Sequence, residues 1–205
     1  MKFFFKPKTR DEQHLIQRLI DGDQHAFEQV VSEYHNIMLS VARAIVGEAF
    51  ADEVVQEAWV SAIKALPKFE GRSSLKTWLV HIASNGAKSR VRRENRHVSL
   101  DEGWESVSAD KFDNIGHRFD DIYAWDNETP EAILANEQLQ SIIESSFQQL
   151  PALQRAALTL YDMEGIKMEE ICNILDISAS NLRVLLHRAR TTLHHSIEQY
   201  QDNEK

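Results

Sequence analysis

The feature that most limits how this chain can fold is the spacing of its apolar residues, which recur three and four positions apart through most of its length. That period lines one face of an α-helix and leaves no room for the two-residue alternation of a half-buried strand. Leu15, Leu19, Phe27, Val30, Val31 and Tyr34, followed by Ile37, Met38, Val41 and Ile45, predict two amphipathic helices. A third is expected from about Asp52, whose carboxylate can cap its first turn, through Val54, Val55, Ala58, Trp59, Ala62 and Ile63 to a stop at Pro67. Ser73 or Ser74 then caps a fourth helix, with Leu75, Trp78, Leu79 and Ile82 on one side and Lys88, Arg92 and Arg96 aligned further along at four-residue spacing. The sequence allows one long helix here or two with a break near Asn85-Gly86.

From Val98 to Pro130 the helical period fails and nothing replaces it; acidic and aromatic residues mix with Gly103 and Gly116. Beyond Pro130 the period returns in Leu134, Leu139, Ile142, Ile143 and Phe147, turns a corner at Leu150-Pro151, and resumes in Leu153, Ala157, Leu158 and Leu160 until Gly165. Two further helices are expected, Met168 to Leu175 and about Ala179 to Tyr200, separated by Asp176-Ile177-Ser178. With only seven glycines and four prolines in 205 residues, collagen-like and low-complexity chains are excluded. The expected fold is all-α: two small helical domains, residues 1–97 and 131–205, joined by an acidic flexible linker, 98–130, with a helix-turn-helix in the second domain.

Charge is informative only when resolved along the chain. Residues 1–97 hold fifteen Lys/Arg against twelve Asp/Glu, residues 98–130 two against nine, and residues 131–205 six against eleven, for the overall net charge of −9. Inside the first part, residues 71–97 carry seven basic side chains and one acid, Glu94. Between Asp176 and Glu198 there is no acid, only Arg183, Arg188, Arg190 and three histidines. Two basic surfaces flank an acidic strap, which in the free chain is expected either to lie transiently over the Lys88–Arg96 face or the last long helix, or to stay a solvated spacer kept extended by self-repulsion.

Three constellations carry function. A short helix, a tight turn and a second helix with basic outer positions, from Gly165 to Arg190, is the layout of a helix-turn-helix reader of duplex DNA. Ser180, Asn181, Arg183, Val184 and His187 are then candidates for facing bases, with Arg188 and Arg190 near phosphates. Lys76, Thr77, Trp78, Asn85, Lys88, Arg92, Arg93 and Arg96 set an aromatic and an amide beside cations, a combination suited to melted DNA, where exposed bases stack and present their edges. Trp78 suits core packing equally well. Asp52, Glu53, Gln56 and Glu57 form an acidic-polar stripe opposite an apolar one, which fits a protein-docking face or an ordinary solvated one.

Enzyme signatures are lacking: no paired glycines cradle a phosphate and no nucleophile elbow occurs. His194 and His195 are adjacent and so fall on different helical faces, and no metal or other cofactor is expected. One cysteine, Cys172, permits no internal disulfide and reads as core. No stretch approaches the roughly 20 apolar residues of a membrane span, so the protein is expected in the cytoplasm.

On these residues the chain resembles the extracytoplasmic-function sigma factors of the sigma-70 superfamily, over about residues 12–97 and 131–195. Asp52-Glu53-Val54-Val55-Gln56-Glu57-Ala58-Trp59 is similar to the polymerase-docking helix, Phe69-Glu70-Gly71 to the turn after it, and Thr77-Trp78-Leu79 with Ile82, Ala83 and Asn85 to the promoter-melting segment. Leu150-Pro151 with Arg155, and Arg188-Ala189-Arg190, match the second domain. The resemblance implies core RNA polymerase and promoter DNA, duplex and melted, as partners, admits an anti-sigma factor, and implies no catalysis. It assigns capture of a flipped base near Asn85 and reading of the upstream element to the helix-turn-helix. Phe50, His81, Asn181, Val184 and Leu185 depart from the family's usual residues. The rival readings are a free-standing helix-turn-helix regulator, which the net charge of −9 opposes, and a protein-binding adaptor, which the arginines oppose.

Overall fold

The computed structural model describes residues 10–94 and 137–203, and every element in them is helical. The expected linker, Arg96 and Leu134 lie outside the described residues. In chain order the helices are α1 (Arg10–Ile20), α2 (Gln24–Val46), α3 (Glu48–Ala65), α4 (Leu75–Glu94), α5 (Glu137–Gln149), α6 (Ala152–Leu158), α7 (Met168–Leu175) and α8 (Ala179–Asn203). A single 3-10 turn, Leu66–Lys68, follows α3, and a π-helical turn, Thr159–Met163, continues α6.

Local chemistry sets the boundaries. Asp23 Oδ1 accepts from the backbone N–H groups of His25 and Ala26 at 2.9 and 3.2 Å, and so caps α2. Arg18 Nε donates to its other oxygen at 2.7 Å and holds the carboxyl below the usual carboxylate range. The first two helices therefore divide at Asp21-Gly22-Asp23, and Tyr34 and Ile37 share one unbroken α2. α3 starts earlier than expected. Gly47, at φ 80°, donates its N–H to Arg43 O at 2.9 Å to close α2 and at once opens α3 at Glu48. Asp52 thus lies inside the helix, exposed, and caps nothing.

Ser74 is the cap of α4, its Oγ accepting from Thr77 N at 3.1 Å, and Glu12 reaches across from α1 to accept from Leu75 N at 2.6 Å. α4 runs through Asn85-Gly86 without a break. A Cβ at Gly86 would stand 3.5 Å from Val54 Cγ1, so the glycine lies at the close contact of α4 with α3. That packing offsets the roughly 1 kcal/mol helix penalty of glycine.

α2, α3 and α4 pack mutually around Met38, Val41, Val54, Val55, Leu79 and Val80. α6, α7 and α8 enclose Leu160, Ile171, Ile174, Leu175 and Leu182. These are not separate cores: α2 meets α6, α4 meets α7, and one contiguous apolar cluster runs from Ile16 to Ala189. Ile63, expected on the buried stripe of α3, is 49% exposed, while Ala62 beside it is buried.

One cation secures the α2–α6 seam. Arg155 donates from Nε to Ala44 O at 2.6 Å and from Nη1 to Gln148 O at 2.5 Å and Leu150 O at 3.3 Å. Ala44 lies in the last turn of α2, Gln148 in the last turn of α5, and Leu150 just past its end. Carbonyls there have no partner inside their own helices, and the negative end of the helix dipole favours a cation. Replacing Arg155 by leucine leaves these carbonyls without their donor, and should lower unfolding free energy by about 1–3 kcal/mol in urea titrations; lysine should recover only part of it, lacking the planar fork.

Candidate nucleic-acid interface

α4 presents its polar side chains in two directions. Arg92 and Arg93 are exposed at its C-terminal end. Thr77, His81, Asn85 and Lys88 follow one another at spacings of four, four and three, a single stripe along the helix, and that stripe faces α7. Thr77 and Lys88 are only 4% and 6% exposed. Thr77 Oγ1 donates to Glu170 Oε1 at 3.3 Å, and Lys88 Nζ donates to Leu175 O at 2.8 Å and stands 3.6 Å from Asp176 Oδ2. Asn85 Nδ2 donates to His81 Nε2 at 2.9 Å, and that ring nitrogen lies 3.3 Å from Asp176 Oδ2. Burial pushes the Lys88 ammonium below the ordinary lysine range, against the opposing pull of the Asp176 carboxylate.

Trp78 is half-buried. Its ring packs on Phe69 with centroids 4.7 Å apart and planes inclined by 39°, and it borders a pocket of 20 Å³ with Leu19, Trp59 and Ile63. That volume holds about one water, not a nucleobase. Lys76 is half-buried at the start of the same helix.

On α3 the four expected docking residues, Asp52, Glu53, Gln56 and Glu57, are all exposed. Glu53 pairs with Arg90 of α4 at 2.9 Å, and the Arg90 guanidinium lies 4.5 Å over the Phe50 ring. The unusual Phe50 therefore supplies a face for a cation. One turn past Gln56, Val60 is 50% exposed beside the exposed Ile63, extending the polar stripe with an apolar one. Apolar period alone assigns such residues to a core, so their exposure could not be read from spacing.

In the helix-turn-helix, Asp176 closes α7 in the left-handed conformation, φ 58° and ψ 46°, and Ser178 Oγ accepts from Asn181 N at 3.2 Å to open α8. Leu182, Leu185, Leu186 and Ala189 anchor α8 in the core. Ser180, Arg183 and Arg188 are exposed, and Asn181, Val184 and His187 lie half-buried between them. Arg190, expected near phosphate, is held by Asp162 of the π-helical turn, Nη2 to Oδ1 at 2.6 Å and Nε to Oδ2 at 3.1 Å, with Tyr161 beneath it at 5.5 Å. Cys172 is partly buried against the core, and burial raises its thiol pKa. Among the described residues no group of His, Cys, Asp or Glu could hold a metal, and no helix is long and apolar enough to cross a membrane.

A model of Sigma-70 region 2 matches residues 30–97, and one of Sigma-70, region 4 matches residues 140–193. Over 187 residues the chain is 30% identical to the ECF RNA polymerase sigma-E factor of Escherichia coli (strain K12), spanning 91% of this chain and 94% of that protein. The chain belongs to the extracytoplasmic-function sigma factors of the sigma-70 family. The RNA polymerase sigma-H factor of Pseudomonas aeruginosa is likewise 31% identical over 188 residues, 91% of this chain and 94% of that one. Among solved structures, CnrH in complex with the cytosolic domain of CnrY shares the fold at a TM-score of 0.59 and 21% identity, over 92% of this chain and 97% of that one. The sigma factor RpoE in complex with the anti-sigma factor NepR from Bartonella quintana does so at 0.58 and 19%, over 84% and 96%. As a sigma factor the chain binds core RNA polymerase, directs it to specific promoters and assists strand opening in transcription initiation.

The Arg190–Asp162 pair is partly exposed, at 41% and 37%, so its worth is modest despite the two-point geometry. A double-mutant cycle with alanine at both positions, followed by thermal unfolding, should give a coupling of about 0.5–1 kcal/mol.

Proposed function

We propose that the labour of this sigma factor is divided along its chain. Residues 1–97 form the unit that docks on core polymerase and melts the downstream promoter element, residues 98–130 a connector, and residues 131–205 the unit that reads the upstream element. The docking face is α3, with Asp52, Glu53, Gln56 and Glu57 as its polar part and Val60 and Ile63 as an apolar edge; the exposure of all six supports this. The protein catalyses no reaction of its own and acts in the cytoplasm, beside the polymerase. Its partners are core polymerase, promoter DNA first as duplex and then as a separated strand, and an anti-sigma factor such as the Bartonella quintana neighbour has bound.

The observation that carries the assignment is the pairing, in one chain, of a helix-turn-helix whose Arg183 and Arg188 are exposed with a second basic helix, α4, bearing Trp78 and Asn85. A free-standing regulator of duplex DNA needs only the first. On this reading Trp78 and Asn85 take up an extruded base, recovering the few kcal/mol that unstacking costs. Lys76, Thr77, Lys88, Arg92, Arg93 and Arg96 hold the backbone of the melted strand. On α8, Ser180, Asn181, Arg183, Val184 and His187 face bases, while Arg188, and Arg190 when released from Asp162, lie near phosphates.

Trp78→Ala and Asn85→Ala should leave polymerase binding intact and reduce open complexes, read as weaker permanganate reactivity of the melted region in reconstituted holoenzyme. Unchanged reactivity in both variants removes these residues from strand opening. Arg183→Ala should relax preference at one upstream base pair, a loss of about 1–3 kcal/mol in discrimination. Arg188→Ala should instead weaken all promoters alike and flatten the salt dependence; equal losses from Arg183→Ala on every upstream sequence would place Arg183 with the anchors.

A further inference from the structure

The first helix of the chain, α1, takes hold of the end of α4 that carries Trp78. We propose that Glu12 is a positioning residue for strand opening: by capping α4 from α1 it fixes the first turn of that helix and, through that turn, the ring of Trp78 for the base to be extruded. The inference rests on the reading of Trp78 as a residue that takes up that base.

The hold begins with the chemistry of a helix start, where the first N–H groups have no partner within the helix. Ser74 serves one of them locally, its Oγ accepting from Thr77 N at 3.1 Å. A capping box would add a glutamate or glutamine at position 77. Thr77 stands there instead, and its hydroxyl meets Ser74 Oγ at 2.9 Å. The carboxylate comes from another helix: Glu12 Oε1 accepts from Leu75 N at 2.6 Å, 63 positions further along the chain. An ionised acceptor bonds an N–H more strongly than a neutral one, and the positive end of the helix dipole adds to the attraction.

α1 is itself fixed at its far end, which makes it a strut rather than a loose arm. Arg18 Nε donates to Asp23 Oδ2 at 2.7 Å, and Asp23 caps α2. Leu19, seven residues on from Glu12 and so on the same face of α1, lines the small pocket that Leu75 and Trp78 border. The strut therefore meets the start of α4 twice, through a carboxylate and through an apolar side chain.

Trp78 is the side chain that depends on this. Its N–H closes the first turn of α4, donating to Ser74 O at 3.0 Å, so the residue stands one turn in from the cap. When a cap is lost the first turn frays, and Trp78 is the next residue to lose its place. Phe69 packs against its ring. With the backbone set and that face covered, the direction of the indole is set too. Taking up a base needs the ring in place beforehand, because ordering it at the moment of opening would add to the cost of unstacking.

The test uses holoenzyme reconstituted with the full chain on a linear duplex promoter, with the rate at which the melted region becomes reactive to permanganate as the readout. Glu12→Ala should leave affinity for core polymerase within about twofold and slow opening by about threefold or more, the low end of what a lost helix cap costs. Glu12→Gln, which keeps an acceptor oxygen, should recover most of that rate. On the same promoter carrying a pre-melted bubble, wild type and both variants should give first transcripts at equal rates, since the bases are already unpaired. Glu12→Ala added to Trp78→Ala should slow opening no further than Trp78→Ala alone, the mark of action through one residue. Ile45→Val trims the buried core at the other end of α2 from Phe27 and Val30, and controls for lost stability. Equal slowing by Glu12→Ala and Ile45→Val, no recovery with glutamine, a deficit that persists on the bubble, or additive slowing with Trp78→Ala would overturn the positioning role. Normal opening by Glu12→Ala beside slow opening by Trp78→Ala sinks this inference alone, whereas normal opening by Trp78→Ala sinks the reading beneath it.

Discussion

Much of this structure depends on two cations that donate to carbonyls at helix C-termini across a seam. Arg155 serves Ala44 of α2, and Lys88 serves Leu175 of α7. Each helix end leaves carbonyls without intrahelical partners, and burying them beside another bundle is possible only if donors arrive from that bundle. The two contacts run in opposite directions, one from the second unit to the first and one in return. Between them the apolar cores merge into one. Neither half could withdraw without exposing apolar surface and stranding a carbonyl or an ammonium.

This has a consequence for function, because residues that suit DNA also suit the seam. A lysine long enough to reach a phosphate is long enough to reach a helix end, and a threonine that can bond a strand can bond Glu170 instead. The same economy appears on α8, where Arg190 sits in a two-point pair with Asp162 and over Tyr161. Arg90 is occupied likewise by Glu53 and Phe50, which joins α3 to the basic helix.

Several elements were legible because their cause is local. The short helix Met168–Leu175 and the start of α8 at Ala179 followed from an apolar period and from Asp176-Ile177-Ser178 between them. A serine cap at Ser73 or Ser74 followed from hydroxyl chemistry, and the structure has it at Ser74. Other boundaries turned on choices that period cannot rank. Gly47, with its positive φ, opens α3 before Asp52 is reached, and packing of Gly86 against Val54 carries α4 past a dipeptide that in isolation favours a break. Ile63 has the spacing of a core residue and is half exposed, since whether a helical stripe is covered depends on what else the chain brings to it.

By itself the sequence determined that the chain is helical, that two basic helical surfaces are separated by an acidic stretch, and which family's motifs it carries. These are properties of neighbours within a few residues, where spacing, capping and charge act directly. Only the tertiary structure decided that Thr77 and Lys88 turn inward, that Glu170 and Asp176 oppose them, and that Arg155 clasps α2. Those pairings join residues 93, 87 and 111 positions apart. No periodic pattern spans such distances; they arise when two amphipathic faces and a set of unpartnered helix ends are satisfied together by one packing.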